Sequence, residues 1–246
     1  MNIADLRPLH AFEVRVYQEI QAGWLDLSVT NTVLWMWVAI LLSTTLLALA
    51  LRQPQIVPGK AQMFVELYYQ FIRRVTVSNI HMHGERFVPL MFTLFTFILG
   101  CNLIGLIPGS FTPTAQIIVT GTLAVAMFLY TVVLRFSLYG LGFFHAFVPK
   151  GIPGFLLPLM VPIELLSFMA RPVSLAVRLF ANMTAGHTVL GVIAFFGLFA
   201  PWFVQWVPMS LSVVLLAVEL FIAVIQAYIF TVLSCVYIDD ALHPHA

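Results

Sequence analysis

Five acidic, basic or histidine side chains inside one long apolar stretch are the residues of this chain best placed to do chemistry. Between positions 159 and 238 they are Glu164, Arg171, Arg178, His187 and Glu219. Arg178 is the most informative, because no other Asp, Glu, Lys or Arg occurs between it and Glu219. A guanidinium stays protonated at any cellular pH, and one near a bilayer centre costs roughly 2.5–3.5 kcal/mol even on the lenient insertion scale. A charge kept at such a cost indicates a function.

The chemistry expected of these groups is proton transfer. His187 and Glu219 can exchange a proton near neutral pH, since neighbours can bring the proton affinities of imidazole and carboxylate together. Arg178 cannot relay a proton because it does not release its own. It can hold a partner's carboxylate ionised and repel protons that would pass directly. The sequence therefore suggests two aqueous pockets separated by a fixed positive charge.

Helical spacing places several of these residues on one face. Glu164, Arg171 and Arg178 are seven residues apart, so successive members lie about 10.5 Å apart along a shared helix face. Asn182 continues that face, four residues after Arg178.

The residues on the two arms of a helical hairpin are expected to face each other in pairs. Pairing Arg178 with Gln226 puts the midpoint of the turn at residue 202, and pairing His187 with Glu219 puts it at 203. Both midpoints fall in the turn predicted between two long helices at about 159–197 and 209–239, so one antiparallel register brings both pairs together. Glu164 then lies toward the inner side.

Structural explanations stay open for most of these residues. Glu164 is explained as well by an ion pair with Arg171 as by a place on the proton path, and Arg171 is expected to extend to the inner surface. An ion pair that serves only packing would explain His187 and Glu219. Interhelical hydrogen bonds alone would explain Asn182 and Gln226.

The composition defines the class of protein that holds these charges. Hydrophobic residues make up 61% of the chain and charged residues 9%, with a mean hydropathy of +1.01. Such a chain is an integral membrane protein. A net charge of +1 without a basic run argues against nucleic acid as a partner.

Cysteine and histidine spacing predicts neither a metal site nor a cofactor. Cys101 and Cys235 lie far apart in apolar segments and are expected to be small core residues. The His-x-His pairs at 81–83 and 243–245 lie in polar segments without companion ligands, so we expect them to be solvated.

The hydrophobic pattern predicts an all-α integral membrane protein with about five membrane helices and one interfacial amphipathic helix at about 60–78. The N-terminal segment, 1–30, lacks the layout of a signal peptide. Phe12, Val16, Tyr17 and Ile20 share a helical face there, which predicts a short surface helix. The spans are predicted at 27–51, 87–107, 115–136, 159–197 and 209–239.

The order of the spans divides the chain into four parts, of which the first is the N-terminal segment, 1–30, expected to lie outside. Front helices occupy 31–158, a strongly tilted helical hairpin that forms the proton path occupies 159–240, and a tail follows at 241–246. A loop rich in Gly and Pro, at 140–158, precedes the hairpin. Basic residues cluster in the loops at 52–86 and 135–150, which predicts an outside N-terminus and an inside C-terminus.

Several motifs resemble subunit a of F-type ATP synthases, which is ATPase subunit 6 in mitochondria. The resemblance covers the chain from about residue 10 to its end, and its most specific part is the segment around Arg178. The matching segments are RPVSLAVRLFANMTAGH at 171–187, NLIGLIP at 102–108, FTPT at 111–114 and QAYIFTVL at 226–233, followed by Val236 and Tyr237.

The resemblance implies a proton-conducting stator subunit at the surface of a rotating ring of c subunits, with the peripheral stalk subunit b or its equivalent and other ATP synthase subunits as partners. Protons would enter by His187 and Glu219, neutralise a ring carboxylate, and leave by an inner pocket near Glu164. Arg178 would block a direct path, with Asn182 and Gln226 beside it. ATP chemistry would lie on other subunits.

We expect this chain in a bacterial inner membrane, with the mitochondrial inner membrane as the alternative. In the family that the chain resembles, many bacterial members carry an acid where this chain has His187 and a histidine where it has Glu219. The exchange keeps one acid and one imidazole across the two arms, which supports the pairing of these two residues.

Two other classes of membrane protein are disfavoured by the sequence. A secondary transporter would normally show an inverted repeat, and the segment around Arg178 has no second copy. An intramembrane protease would need an aspartate pair or a zinc-binding H-E-x-x-H motif, which the spans lack.

Overall fold

Six α-helices form most of the structure, a computed structural model that describes residues 16–18, 21–22, 25–26, 28–52, 54–81, 83–107, 110–140, 157–199, 201 and 203–242. A short 3-10 helix at Pro113–Ala115 joins the third helix to the fourth. The helices are α1 Asn31–Ala50, α2 Lys60–Asn79, α3 Gly84–Gly105, α4 Ile117–Tyr139, α5 Leu157–Phe199 and α6 Trp206–Leu242.

The five helices other than α2 are long and apolar enough to cross a membrane. This confirms the predicted all-α membrane architecture with five spans. The helix predicted at about 60–78 is α2, which buries Val65, Ile72 and Thr76 against the bundle while most of its polar residues stay exposed. Its Tyr68 hydroxyl lies 2.9 Å from Thr96 Oγ1 on α3, and burial raises the pKa of this tyrosine.

The prediction of a helix through Val16 and Tyr17 is wrong. Four short strands precede α1: β1 Val16–Gln18, β2 Gln21–Ala22, β3 Leu25–Asp26 and β4 Val29–Thr30. Strand β1 pairs with β4 and β2 with β3, both antiparallel. β-branched and aromatic residues favour strands, and pairing with the residues just before α1 outweighs a weak helical pattern. Phe12 and Ile20 lie outside the described residues.

Local signals explain where two of the spans begin and end. Thr30 Oγ1 accepts a hydrogen bond from the Val33 amide and so caps α1. Gly140 ends α4 with a positive φ of 53°. The loop predicted at 140–158 lies largely outside the described residues, but α5 already begins at Leu157, so Pro158 belongs to that helix.

The last two helices form an antiparallel hairpin on which the other helices pack. Helix α4 lies against both arms, α3 packs on α6, and α2 and α1 pack on α3. The centre of this core contains Met91, Ile98, Leu179, Met183 and Phe230, all nearly inaccessible. The prediction that Cys101 and Cys235 are buried is confirmed.

Candidate functional site

His187 and Glu219 face each other across the hairpin, as predicted. His187 Nδ1 lies 3.1 Å from Glu219 Oε1, and the two side chains are 15% and 6% exposed. The pair is at ion-pair distance but is not aligned as a hydrogen bond, so neither carboxylate oxygen has a hydrogen-bond partner among the described residues. The geometry suits two groups that share one proton.

A second polar bridge joins the arms at Asn182 and Gln226. Asn182 Nδ2 donates to Gln226 Oε1 over 3.2 Å, and Gln226 is buried. The predicted partner of Gln226 was Arg178, so this part of the register is wrong by about one helical turn. A short amide fits between closely packed arms, whereas a guanidinium would have to be buried there without a counter-charge.

Arg178 instead lies on the exposed face of α5. It forms neither an ion pair nor a hydrogen bond within the part of the chain that the structure describes. Its neighbours along the same face are the small residues Ser174, Ala181 and Ala185, which are also exposed. The guanidinium is therefore available to a partner that approaches this face, and the small side chains leave room for it.

At the other end of the hairpin Arg171 pairs with Asp240 rather than with Glu164. Arg171 Nη1 donates to Asp240 Oδ2 over 2.6 Å, and its Cζ lies 5.8 Å from the Phe168 ring centroid and 5.5 Å from that of Tyr237. Arg171 thus links the two arms instead of only reaching toward the surface. Glu164 is half-buried, and among the described residues it has no hydrogen bond or ion pair.

The loop between α3 and α4 contributes polar residues to which the sequence assigned no role. Thr112 Oγ1 lies 2.9 Å from His187 Nε2. Thr114 Oγ1 donates to Asn102 Oδ1 over 2.7 Å, and Asn102 Nδ2 donates to the Ala223 carbonyl over 3.2 Å. The sequence feature that could have identified Asn102 as a site residue is an amide among apolar residues. For the two threonines, it is the FTPT segment itself.

Gly186 is a further residue that the sequence left without a role. A Cβ at this position would lie 2.8 Å from Glu219 Oε1 and 3.1 Å from its Cδ. Glycine at position 186 therefore leaves the space that the Glu219 carboxylate occupies beside His187, and a larger residue would make that carboxylate shift.

His81, the first histidine of the His-x-His pair at 81–83, contacts Asp239 near the end of α6. His81 Nδ1 lies 3.1 Å from Asp239 Oδ2, and the His81 amide donates to Asp239 Oδ1 over 3.0 Å. Among the described residues no group of three or more His, Cys, Asp and Glu is arranged to hold a metal. The second pair, at 243–245, lies outside the described residues.

The fold and this site together define a class, a multi-pass membrane protein whose last two helices bring polar side chains together near an arginine that has no ion pair among the described residues. Residues 33–239 match the family model of the ATP synthase A chain. The chain is also 47% identical to the ATP synthase subunit a of Magnetococcus marinus over 242 residues, which cover 97% of this chain and 93% of that protein.

The chain therefore belongs to the ATP synthase A chain family. It is a membrane-sector component of an ATP synthase, works in a complex with other subunits, and has the general proton-translocating role of that family.

Proposed function

We propose that this subunit provides two aqueous half-channels to a ring of c subunits and that Arg178 is the barrier between them. The observation that carries the proposal is the arrangement along α5. Arg178 is exposed and flanked by small residues, while the buried pair of His187 and Glu219 lies toward the hairpin turn. The guanidinium thus stands where a partner's carboxylate can meet it, away from the groups that exchange protons.

The outer half-channel uses the pair that bridges the arms. A proton from the outer side reaches His187 and passes to Glu219, because the two groups are 3.1 Å apart. The amides of Asn182 and Gln226 lie between this pair and Arg178 along the hairpin, so they can guide the proton to a ring carboxylate. The neutralised ring helix can then leave Arg178 and move into the lipid.

The inner half-channel receives the proton after nearly a full turn of the ring. Glu164 lies about two turns before Arg171 on α5, toward the inner end, and offers a half-buried carboxylate. It can accept a proton from a ring carboxylate, which becomes ionised as it approaches Arg178.

Arg178 separates the two half-channels by its charge. A proton about 4 Å from a guanidinium is repelled by about 4 kcal/mol at an effective dielectric constant of about 20. The same charge attracts an ionised ring carboxylate. That carboxylate therefore leaves Arg178 only after it has been reprotonated. A neutral side chain would provide neither effect.

The length of the two arms supports a ring as the partner. Helices α5 and α6 contain 43 and 37 residues, and at about 1.5 Å per residue both exceed the roughly 30 Å hydrocarbon core by far. Such helices must tilt strongly. Tilted helices offer a curved ring a long contact line.

The remaining assignments follow from the same proposal. The subunit itself is non-catalytic, with ATP chemistry on other subunits, and a peripheral stalk subunit b or its equivalent holds it in place. It lies in a bacterial inner membrane with its N-terminus outside, as the basic loops at 52–86 and 135–150 favour.

Cysteine cross-linking tests where the ring binds. A cysteine at Ala181, exposed beside Arg178, should form a disulfide with a cysteine placed next to the ring carboxylate in the assembled complex. Ala223→Cys is the matched control, since Ala223 is completely buried and should not react. Cross-linking from Ala223 but not from Ala181 would refute the proposed face.

A further inference from the structure

We propose that Thr112 is a positioning residue of the proton path, whose hydroxyl holds the His187 ring in place through both protonation states of Nε2. The inference rests on the proposed function, since it concerns how the pair of His187 and Glu219 stays aligned while protons pass. The observation behind it is that the two ring nitrogens have different partners. Nδ1 faces Glu219 Oε1 at 3.1 Å and Nε2 faces Thr112 Oγ1 at 2.9 Å.

A hydroxyl is suited to this position because it can both donate and accept a hydrogen bond. When Nε2 carries no proton, Thr112 donates its hydroxyl proton to the ring nitrogen. When Nε2 is protonated, the same oxygen accepts from it after a rotation about one bond. The hydrogen bond between Thr112 and His187 therefore persists while Nε2 gains and loses its proton, and Nδ1 stays directed at Glu219 in each state. A carboxylate would only accept, and an ammonium would only donate.

The protein holds Thr112 rigidly in this position. Thr112 is 6% exposed, and its side chain lies against the backbone of Gly105, where an added Cβ would overlap Thr112 Oγ1. A single bulkier residue at Gly105 would displace the hydroxyl. The closeness of the contact indicates that the location of the hydroxyl matters.

The loop that bears Thr112 is fastened to both arms of the hairpin. Thr114 and Asn102 connect it to the Ala223 carbonyl, one turn after Glu219 on α6. Thr184, three residues before His187 on α5, donates to the Ala115 carbonyl over 3.4 Å. These hydrogen bonds connect the loop to both arms and so help to keep Thr112 beside the imidazole.

Two substitutions of Thr112 distinguish a role in packing from a role in hydrogen bonding, because the two roles predict opposite orders of activity. Thr112→Val keeps the shape of the side chain but removes the hydroxyl. Thr112→Ser keeps the hydroxyl but removes the methyl group that contacts Gly105. If packing were the role, valine would be the better replacement. If the hydroxyl positions the ring, serine would be.

The experiment measures ATP-driven proton pumping by the complete complex in inverted vesicles, normalised to assembled enzyme. We expect Thr112→Val to slow pumping roughly tenfold, as the loss of a buried hydrogen bond predicts, and Thr112→Ser to remain within about twofold of the wild type. Thr122→Val is the matched control, because the Thr122 hydroxyl is exposed and donates only to its own helix. This control should pump normally.

Two further variants keep the inference falsifiable. Gly105→Ala displaces the Thr112 hydroxyl without removing it, so it should slow pumping even if the valine variant assembles poorly. His187→Ala distinguishes a failure of the role of Thr112 from a failure of the proposed outer half-channel. Normal pumping by Thr112→Val and Gly105→Ala, with pumping lost in His187→Ala, would overturn the role of Thr112 alone. Normal pumping by His187→Ala would overturn the proposed outer half-channel, and the role of Thr112 with it.

Discussion

Gly186 leaves the space that the carboxylate of Glu219 occupies, since a Cβ at this glycine would lie 2.8 Å from Glu219 Oε1. We predict that Gly186→Ala pushes the carboxylate away from His187 and slows proton pumping about tenfold, because displacements of about 1 Å can cost far more than packing energy suggests. Pumping by the assembled complex measures the effect. Gly121→Ala is the control, as a Cβ there meets nothing within 4 Å. Equal pumping by both variants would contradict the prediction.

Exchanging the two residues of the acid–imidazole pair should preserve function. His187→Glu alone places two carboxylates face to face and Glu219→His alone places two imidazoles there, so each single variant should pump poorly. The double variant restores one acid and one imidazole at the same positions, and we expect at least part of the activity to return. A double variant that pumps no better than either single one would show that the pair does not act as a unit.

The bridge between Asn182 and Gln226 should behave as one coupled interaction. Removing either amide leaves the other without its partner in a tightly packed region. We therefore expect Asn182→Ala and Gln226→Ala together to cost less than the sum of the two single variants, with a coupling energy of about 0.6 kcal/mol, as is typical between membrane helices. A double-mutant cycle on the thermal stability of the detergent-solubilised complex measures it. Strict additivity would contradict the contact.

The ion pair of Arg171 and Asp240 should stabilise the end of the hairpin that lies away from its turn. Both side chains are roughly a quarter exposed, so solvent screening limits the loss in Asp240→Asn to about 1 kcal/mol. A lower dissociation temperature of the subunit from the solubilised complex would report it. Glu85→Gln is the control, because its contact with Arg73 is exposed on the surface. A larger effect from Glu85→Gln would contradict this prediction.

Much of the fold follows from the sequence because the thickness of the bilayer sets the minimum length of a membrane-spanning helix. Charge-free runs longer than about 20 residues predict spans, and all five are found within a few residues of their predicted bounds. The contact of His187 with Glu219 follows as well, since an antiparallel hairpin leaves the register as almost its only unknown. The same argument fails by one turn for Arg178 and Gln226, because it considers neither side-chain length nor the cost of burying a charge.

Three contacts in the structure were not predicted from the sequence, each for its own reason. Thr112 and His187 are 75 positions apart, and no spacing rule relates a loop to a helix at that distance. Asp240 lies just beyond the predicted second arm and Arg171 was expected to extend to the inner surface, so the sequence assigned neither of them a partner across the hairpin. The pairing of β1 with β4 depends on two-residue contacts that carry little signal in the sequence.

The most direct test of the central proposal is Arg178→Ala in the assembled complex, measured in two ways in inverted vesicles. ATP-driven proton pumping is recorded first, and passive proton leak is recorded after the soluble sector has been removed. We expect pumping to be abolished and the leak to be retained or raised, because the two half-channels would no longer be separated by a charge. Normal pumping by this variant would contradict the account and leave Arg178 with a structural role.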